Sequence, residues 1–228
     1  MQRPGRVMVL ILIMVLAGGS VSAKREADEF VPKKQLWPLT GMPANWNYNT
    51  MIPLLKNGEM NMVYSNEDGS FKQTTVFCLI DAPAVKVWPH LIDFENFPQY
   101  MPKVASMKQL KQAGDDFWYL YELDLPGPDL SFPIRIHMNS DHTVDYINEE
   151  YKGDSFPGGW RYELHPVENG SKTILVYKAY FNVRDRSWLI RRTLSYDATM
   201  AHPLNIGVNT SIGTLYLKAI KKRSETSK

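Results

Sequence analysis

Apolar and polar residues alternate most clearly over residues 132–139. Phe132, Ile134, Ile136 and Met138 point one way, and Pro133, Arg135, His137 and Asn139 the other, which is the period of a half-buried strand. The same rhythm predicts strands over 59–66 and 70–80, joined across Asp68-Gly69, and over 105–111 and 117–125, joined at Gly114-Asp115. In the last of these, Phe117, Tyr119, Tyr121, Leu123 and Leu125 form one unbroken apolar face. A more polar run covers 143–151, and a final hairpin pairs 160–166 with 173–181 across Asn169-Gly170.

Three stretches depart from this period. Residues 50–55 suit a short helix. Residues 81–104, DAPAVKVWPHLIDFENFPQYMPKV, predict two short helices between strands. Asp81 stands where it can cap the first and Pro83 where a proline opens it, while Val85, Trp88 and Ile92 recur at helical spacing toward the sheet. Phe97, Tyr100 and Met101 give the second an apolar side. Near the end, Ser187 can cap a helix to about residue 201, and Pro203 opens a longer one to about residue 222. Leu204, Val208, Ile212, Leu215 and Ala219 form its expected stripe. Gly207 and Gly213 each cost that helix about 1 kcal/mol relative to alanine, offset either by room for a ligand or by close approach to the sheet. The class is α+β.

The N-terminus reads as an export leader. Arg3 and Arg6 precede an apolar run from Val7 to Ala17, and Val21 and Ala23 occupy the positions a signal peptidase reads. A membrane span needs about 20 apolar residues, more than this run supplies. The expected division is a signal peptide at 1–23, an arm at 24–53, one domain at 54–223 and a tail at 224–228. The expected location is secreted or periplasmic. Of 26 basic residues against 24 acidic, the leader holds two and no acid, so the remainder is balanced. No lysine run interleaves with aromatics, which excludes a nucleic-acid partner. Aromatic content of 12%, with six Trp and twelve Tyr, suits a heavy core or a ligand-lined cavity.

In the 81–104 stretch, Trp88, Asp93, Phe94, Pro98 and Pro102 occur in an order that resembles the START-like superfamily, and within it the polyketide cyclase/dehydrase and coenzyme Q-binding group. Leu54 to Glu59, Trp160 after its glycine pair and the Pro203 helix start fit the same resemblance. It implies a helix-grip fold, in which a curved antiparallel sheet wraps a long C-terminal helix and two short helices follow the first strands. It also implies an apolar cavity that binds a lipid, quinone or polyketide-like molecule, as in lipid transfer, or else turns it over as an aromatase/cyclase. Phe117, Tyr119, Tyr121, Leu123, Phe132, Ile134, Ile136 and Met138 from the strands, with Leu204, Val208 and Ile212 from the helix, are the expected lining.

Other chemistry is sparse. His90, His137, His142, His165 and His202 have no metal-ligand spacing, and no cofactor is implied. Arg135 with His137, and Arg161 and Glu163 with His165, occupy strand faces that read as solvated. Adjacent Glu149 and Glu150 point to opposite faces of a strand, no serine has a local base, and the lone Cys78 reads as a core residue. Trp188, Arg191 and Arg192, in an apolar and cationic cluster, are candidates for peripheral contact with an anionic membrane.

Overall fold

The computed structural model describes residue 39 and residues 42–43, 45–67, 69, 71–124, 130–139, 143–147, 158–181, 192 and 194–226. A helical turn at Tyr48–Met51 runs into α1 (Ile52–Leu55), and the strands β1 (Met60–Ser65) and β2 (Phe71–Ile80) follow. Next come α2 (Ala84–Ile92) and α3 (Phe97–Tyr100). Six strands then run in succession: β3 (Val104–Ala113), β4 (Asp116–Leu123), β5 (Leu130–Met138), β6 (Thr143–Ile147), β7 (Gly158–Val167) and β8 (Lys172–Phe181). The last described element is α4 (Ala201–Thr226).

The strands form one antiparallel sheet in the order β1-β2-β8-β7-β6-β5-β4-β3. The helices α2 and α3 carry the chain from β2 to the far edge of the sheet. Register shifts within β1–β2 and β3–β4 mark bulges, which bend the strands that carry them. The α4 helix lies across β2 and β8 on the inner face. This is the α+β helix-grip arrangement expected from the sequence.

The sheet buries both faces where β2, β8 and β7 meet. The β2 pattern is buried at nearly every position rather than alternating. Inside, Val76, Tyr177, Tyr162 and Leu217 belong to the main core. Outside, Met51, Ile52 and Leu55 cover Phe77, Leu79, Ile174 and Val176 in a second core.

Two helix readings need correction. In α2 the inward residues are Val87 and Leu91, with Ala84, Trp88 and Ile92 partly buried against the core, whereas Val85 is 76% exposed. Pro83, not Asp81, is the N-cap, and it makes no side-chain bond. Asp81 instead pairs with Lys172 at 3.0 Å, and its backbone N–H donates to Glu225 Oε1. Ala84, Val87, Trp88 and Leu91 thus make up the inward face, an i, i+3, i+4, i+7 set. In α4, Leu215 is exposed, and the buried face runs through Asn205, Val208, Asn209, Gly213, Tyr216, Leu217, Ile220 and Ser224. Hydropathy does not mark this face because its members include glycine, asparagine and serine.

Gly213 accounts for that choice. A Cβ there would lie 2.5 Å from Tyr177 Cδ1 and 2.9 Å from Val76 Cγ2. The glycine therefore serves close approach of helix to sheet. Gly207 has nothing within 4 Å of its Cβ position, so packing does not demand it. Gly213→Ala is expected to lower stability by about 1–3 kcal/mol, as overpacking against a buried ring does. An unchanged denaturant midpoint would mean that α4 rides higher on the sheet than described.

Candidate functional site

The inner face of β4 and β5 is the part of the concave surface that the sequence singled out. Pairing places Phe117 opposite Ile136, Tyr119 opposite Ile134 and Tyr121 opposite Phe132. Tyr119, Tyr121, Leu123, Phe132, Ile134 and Ile136 are all buried in one cluster, and Phe117 and Met138 pack against it. Phe94, which opens the turn before α3, sits edge-on to Tyr119 at 5.5 Å and 5.9 Å from Phe117. The helix contribution is divided. Ile212 reaches the main core, but Leu204 and Val208 pack with Leu194 and Ala201 in a small separate cluster. The structure thus unites the strand residues and leaves two of the three helix residues apart.

Polar groups enter this apolar surface mainly as tyrosine hydroxyls. Tyr121 of β4 and Tyr216 of α4 meet hydroxyl to hydroxyl at 2.6 Å. Tyr162 and Tyr177, directly paired across β7 and β8, bring their ring centroids to 5.4 Å. Trp160 fills the space between Tyr121, at 6.0 Å, and Phe181, at 5.3 Å. Burial, with neighbouring tyrosines adding to it, raises the pKa of Tyr121 and Tyr177 well above that of free tyrosine. Burial pushes Tyr216 up to about 12, although its bond with Tyr121 pulls the other way. These hydroxyls stay protonated near neutral pH. They can hold a ligand oxygen, but they are poor proton acceptors.

Asn209 completes the inner face. Its Oδ1 accepts from the Phe181 N–H at 2.8 Å, and its Nδ2 donates to the Phe181 carbonyl at 2.9 Å and to the Asn205 carbonyl at 2.8 Å. One amide thereby closes both backbone groups at the end of β8 and ties the helix to the sheet. Sequence reasoning missed Tyr162, Tyr177, Tyr216 and Asn209. Alternation along β7 and β8 carries the signal for the first two, since Trp160, Tyr162 and Leu164 alternate inward on β7, and their partners Ala179, Tyr177 and Leu175 do so on the same face of β8. Nothing local marks Asn209, whose partners lie on another element or one turn back.

Two clefts among the described residues, of about 230 and 310 Å³, lie elsewhere. They lie beside the C-terminal half of α4, the smaller also against the turn from α1 to β1 and the end of β2, and Lys221 and Glu59 border both. None of the expected lining residues borders either one. Cys78 borders the smaller cleft, and burial pushes its thiol up to about 12, which disfavours the thiolate. No metal-binding group of His, Cys, Asp or Glu occurs among the described residues.

The outer face of β7 and β8 is not solvated as expected. Glu163 and Lys178 are buried there and paired at 2.6 Å, and His165 Nε2 lies 3.2 Å from the same carboxylate. Tyr48, from the turn before α1, stacks on His165 at 3.8 Å, so the N-terminal segment roofs the pair. Arg135 and His137 fit the expected reading more closely, each 3.0 Å from Asp116 in a half-exposed cluster. Burial alone would raise the Glu163 pKa, but His165 and Lys178 outweigh it and hold it below the usual carboxylate value. A depressed folded pKa contributes stability above the unfolded value and loses it as pH falls through the folded one. Glu163→Gln is expected to cost about 3–5 kcal/mol at neutral pH, since it strands the Lys178 ammonium, and to flatten the acid limb of the melting curve against pH. A wild-type acid limb in the variant would place the acid-sensitive carboxylate elsewhere.

The expected Trp188 and Arg191 contact, the leader and the arm before residue 39 lie outside the described residues. Arg192 is described and exposed, with its guanidinium 5.9 Å from the Tyr196 ring centroid.

A family profile described as polyketide cyclase/dehydrase and lipid transport matches residues 80–197. Among solved structures, the Zhui aromatase/cyclase from Streptomyces sp. R1128 superposes with a TM-score of 0.52 at 13% identity, over 73% of this chain and 94% of that one. TTHA0849 from Thermus thermophilus superposes with a TM-score of 0.51 at 14% identity, over 66% of this chain and 94% of its own. At such identities the likeness is one of fold. No curated protein matches the sequence.

Proposed function

Since the chain belongs to the polyketide cyclase/dehydrase and lipid transport family, we propose that it is an exported binding protein that encloses an apolar small molecule between sheet and C-terminal helix. The observation that carries this reading is the continuous apolar and aromatic inner face of β4 and β5, which meets α4 where Tyr121 bonds to Tyr216. Such a wall offers area to a lipid, quinone or polyketide-like molecule and little to a polar one. Its polar groups argue for holding rather than converting the ligand. The hydroxyls of Tyr121, Tyr177 and Tyr216 are kept protonated by burial, and a cyclase would need a base matched to neutral pH. The leader at 1–23 supports a secreted or periplasmic site of action.

Protein recovered from an exporting host is expected to begin at Lys24 and to release an apolar molecule into organic extracts, identifiable by mass spectrometry. Stripped protein should melt lower and recover its midpoint when the extract is returned, because a ligand that binds only the folded state stabilises it. An intact Met1 on membrane-bound protein would overturn export. Clean extracts, together with no binding of 1-anilinonaphthalene-8-sulfonate, would overturn enclosure.

Delivery of such a ligand calls for contact with a membrane, and Trp188, Arg191 and Arg192 are the residues we assign to it. Tyr196, 78% exposed, and Met200, 39% exposed, extend apolar surface along the chain toward α4. Each basic residue near an anionic surface adds about 1 kcal/mol. Binding to phosphatidylserine vesicles should therefore weaken with salt and with the double change Arg191→Glu and Arg192→Glu. Equal vesicle binding by both proteins would remove the membrane from the reading.

A further inference from the structure

Tyr177 stands at the centre of the gripped face. It lies in the middle of β8, is fully buried, and has its ring directly beneath Gly213 of α4. Tyr162 packs beside it from β7. The neighbouring polar groups are already engaged. The Tyr121 and Tyr216 hydroxyls share one hydrogen bond, in which one donates to the other, and Asn209 spends both ends of its amide on the backbone of Phe181 and Asn205. The Tyr177 hydroxyl has no hydrogen-bond partner among the described residues.

A hydroxyl shut away from water without a bond carries the full penalty of its desolvation. Phenylalanine would fill the same space under Gly213 free of that penalty. A tyrosine at this position is therefore accounted for by a partner that the described residues do not supply. The partner must suit its surroundings. An anion or cation would need compensating charges, and the inner face around Tyr177 is aromatic and neutral. A neutral acceptor attached to an apolar body needs none. Burial keeps the phenol protonated, so it acts as a donor.

We propose that Tyr177 selects the ligand of the concave face by donating a hydrogen bond to a carbonyl or ether oxygen, so that an oxygen-bearing apolar molecule is preferred to a hydrocarbon of the same shape. The proposal rests on the enclosure reading above and adds to it the chemistry of the ligand and the residue that reads it.

Two probes of one shape test it: 9-fluorenone, which carries a single carbonyl, and fluorene, which lacks it. Affinities for the stripped full-length protein are measured by displacement of 1-anilinonaphthalene-8-sulfonate, for wild type and Tyr177→Phe. The variant is expected to lose about tenfold in fluorenone affinity, the worth of one buried hydrogen bond, and to bind fluorene unchanged. The carbonyl stretch of bound fluorenone should lie at lower frequency in wild type than in the variant. The melting midpoint of the variant without probe should be no lower than that of wild type. Equal loss for both probes would make the effect one of shape and overturn the proposal. No loss for either would mean that water or nothing meets the hydroxyl, and would overturn it while leaving enclosure standing. A lower melting midpoint in Tyr177→Phe would mark the hydroxyl as a structural bond and overturn it as well. Failure of wild type to bind either probe would take the enclosure reading down with it.

Discussion

Everything on the concave side depends on how closely α4 sits on the strands. Helix and sheet usually meet through interdigitating side chains, but here Gly213 removes the side chain and lets the Tyr177 ring and the Val76 methyl approach the helix backbone. Hydrogen bonds fix the same seating along the length of the helix. Asn209 holds the end of β8, Thr210 meets Thr74 at 3.1 Å, and Lys221 donates to the Leu79 carbonyl at 2.6 Å. Van der Waals contact sets the distance, and polar bonds set the position along the axis. With the helix pinned over β2 and β8, the inner face of β4 and β5 meets it chiefly through the contact of Tyr121 with Tyr216.

The outer face solves a different problem. A sheet buried on both sides needs a second apolar layer, and the short segment through α1 supplies it with Met51, Ile52 and Leu55. That layer also covers the Glu163–Lys178 pair, whose neighbours His165 and Tyr48 complete a roofed polar patch. Buried pairs of this kind contribute little net stability but penalise any arrangement that separates them. Docking of the N-terminal segment and the register of β7 against β8 are therefore coupled through one carboxylate.

Much of the architecture was legible in the sequence, for definite reasons. Strand alternation in β4 and β5 and glycine turns at Gly69 and Gly114 mark local geometry that a single chain segment determines. The phase of α4 did not follow from hydropathy, because its buried face is built from Gly213, Asn209 and Ser224, chosen for closeness and for bonds to distant strands. The phase of α2 was misjudged because Val85, Trp88 and Ile92 are apolar at helical spacing, whereas the face against the core is centred on Val87 and Leu91 and leaves Val85 to solvent. The burial of Glu163 and the stacking of Tyr48 on His165 depend on a cover from more than a hundred residues earlier in the chain, which no strand pattern can reveal. Of the five buried tyrosines of the main core, Tyr119 and Tyr121 were visible, and Tyr162, Tyr177 and Tyr216 needed the pairing of β7 with β8 and the arrival of α4.

The strand order has a kinetic consequence. The second strand, β2, pairs with the last, β8, and the final 26-residue helix packs on both. The central ladder of the sheet therefore joins segments about a hundred residues apart and cannot close until nearly the whole chain is available. High contact order of this kind slows folding, because loop closure must be completed before the non-local contacts compensate for it. During synthesis the hairpin of β1 and β2 would wait, apolar on both faces, for the C-terminal third to arrive. A chain that stays unfolded so late leaves the edge of β2 that awaits β8 open to pairing with other chains for most of its synthesis.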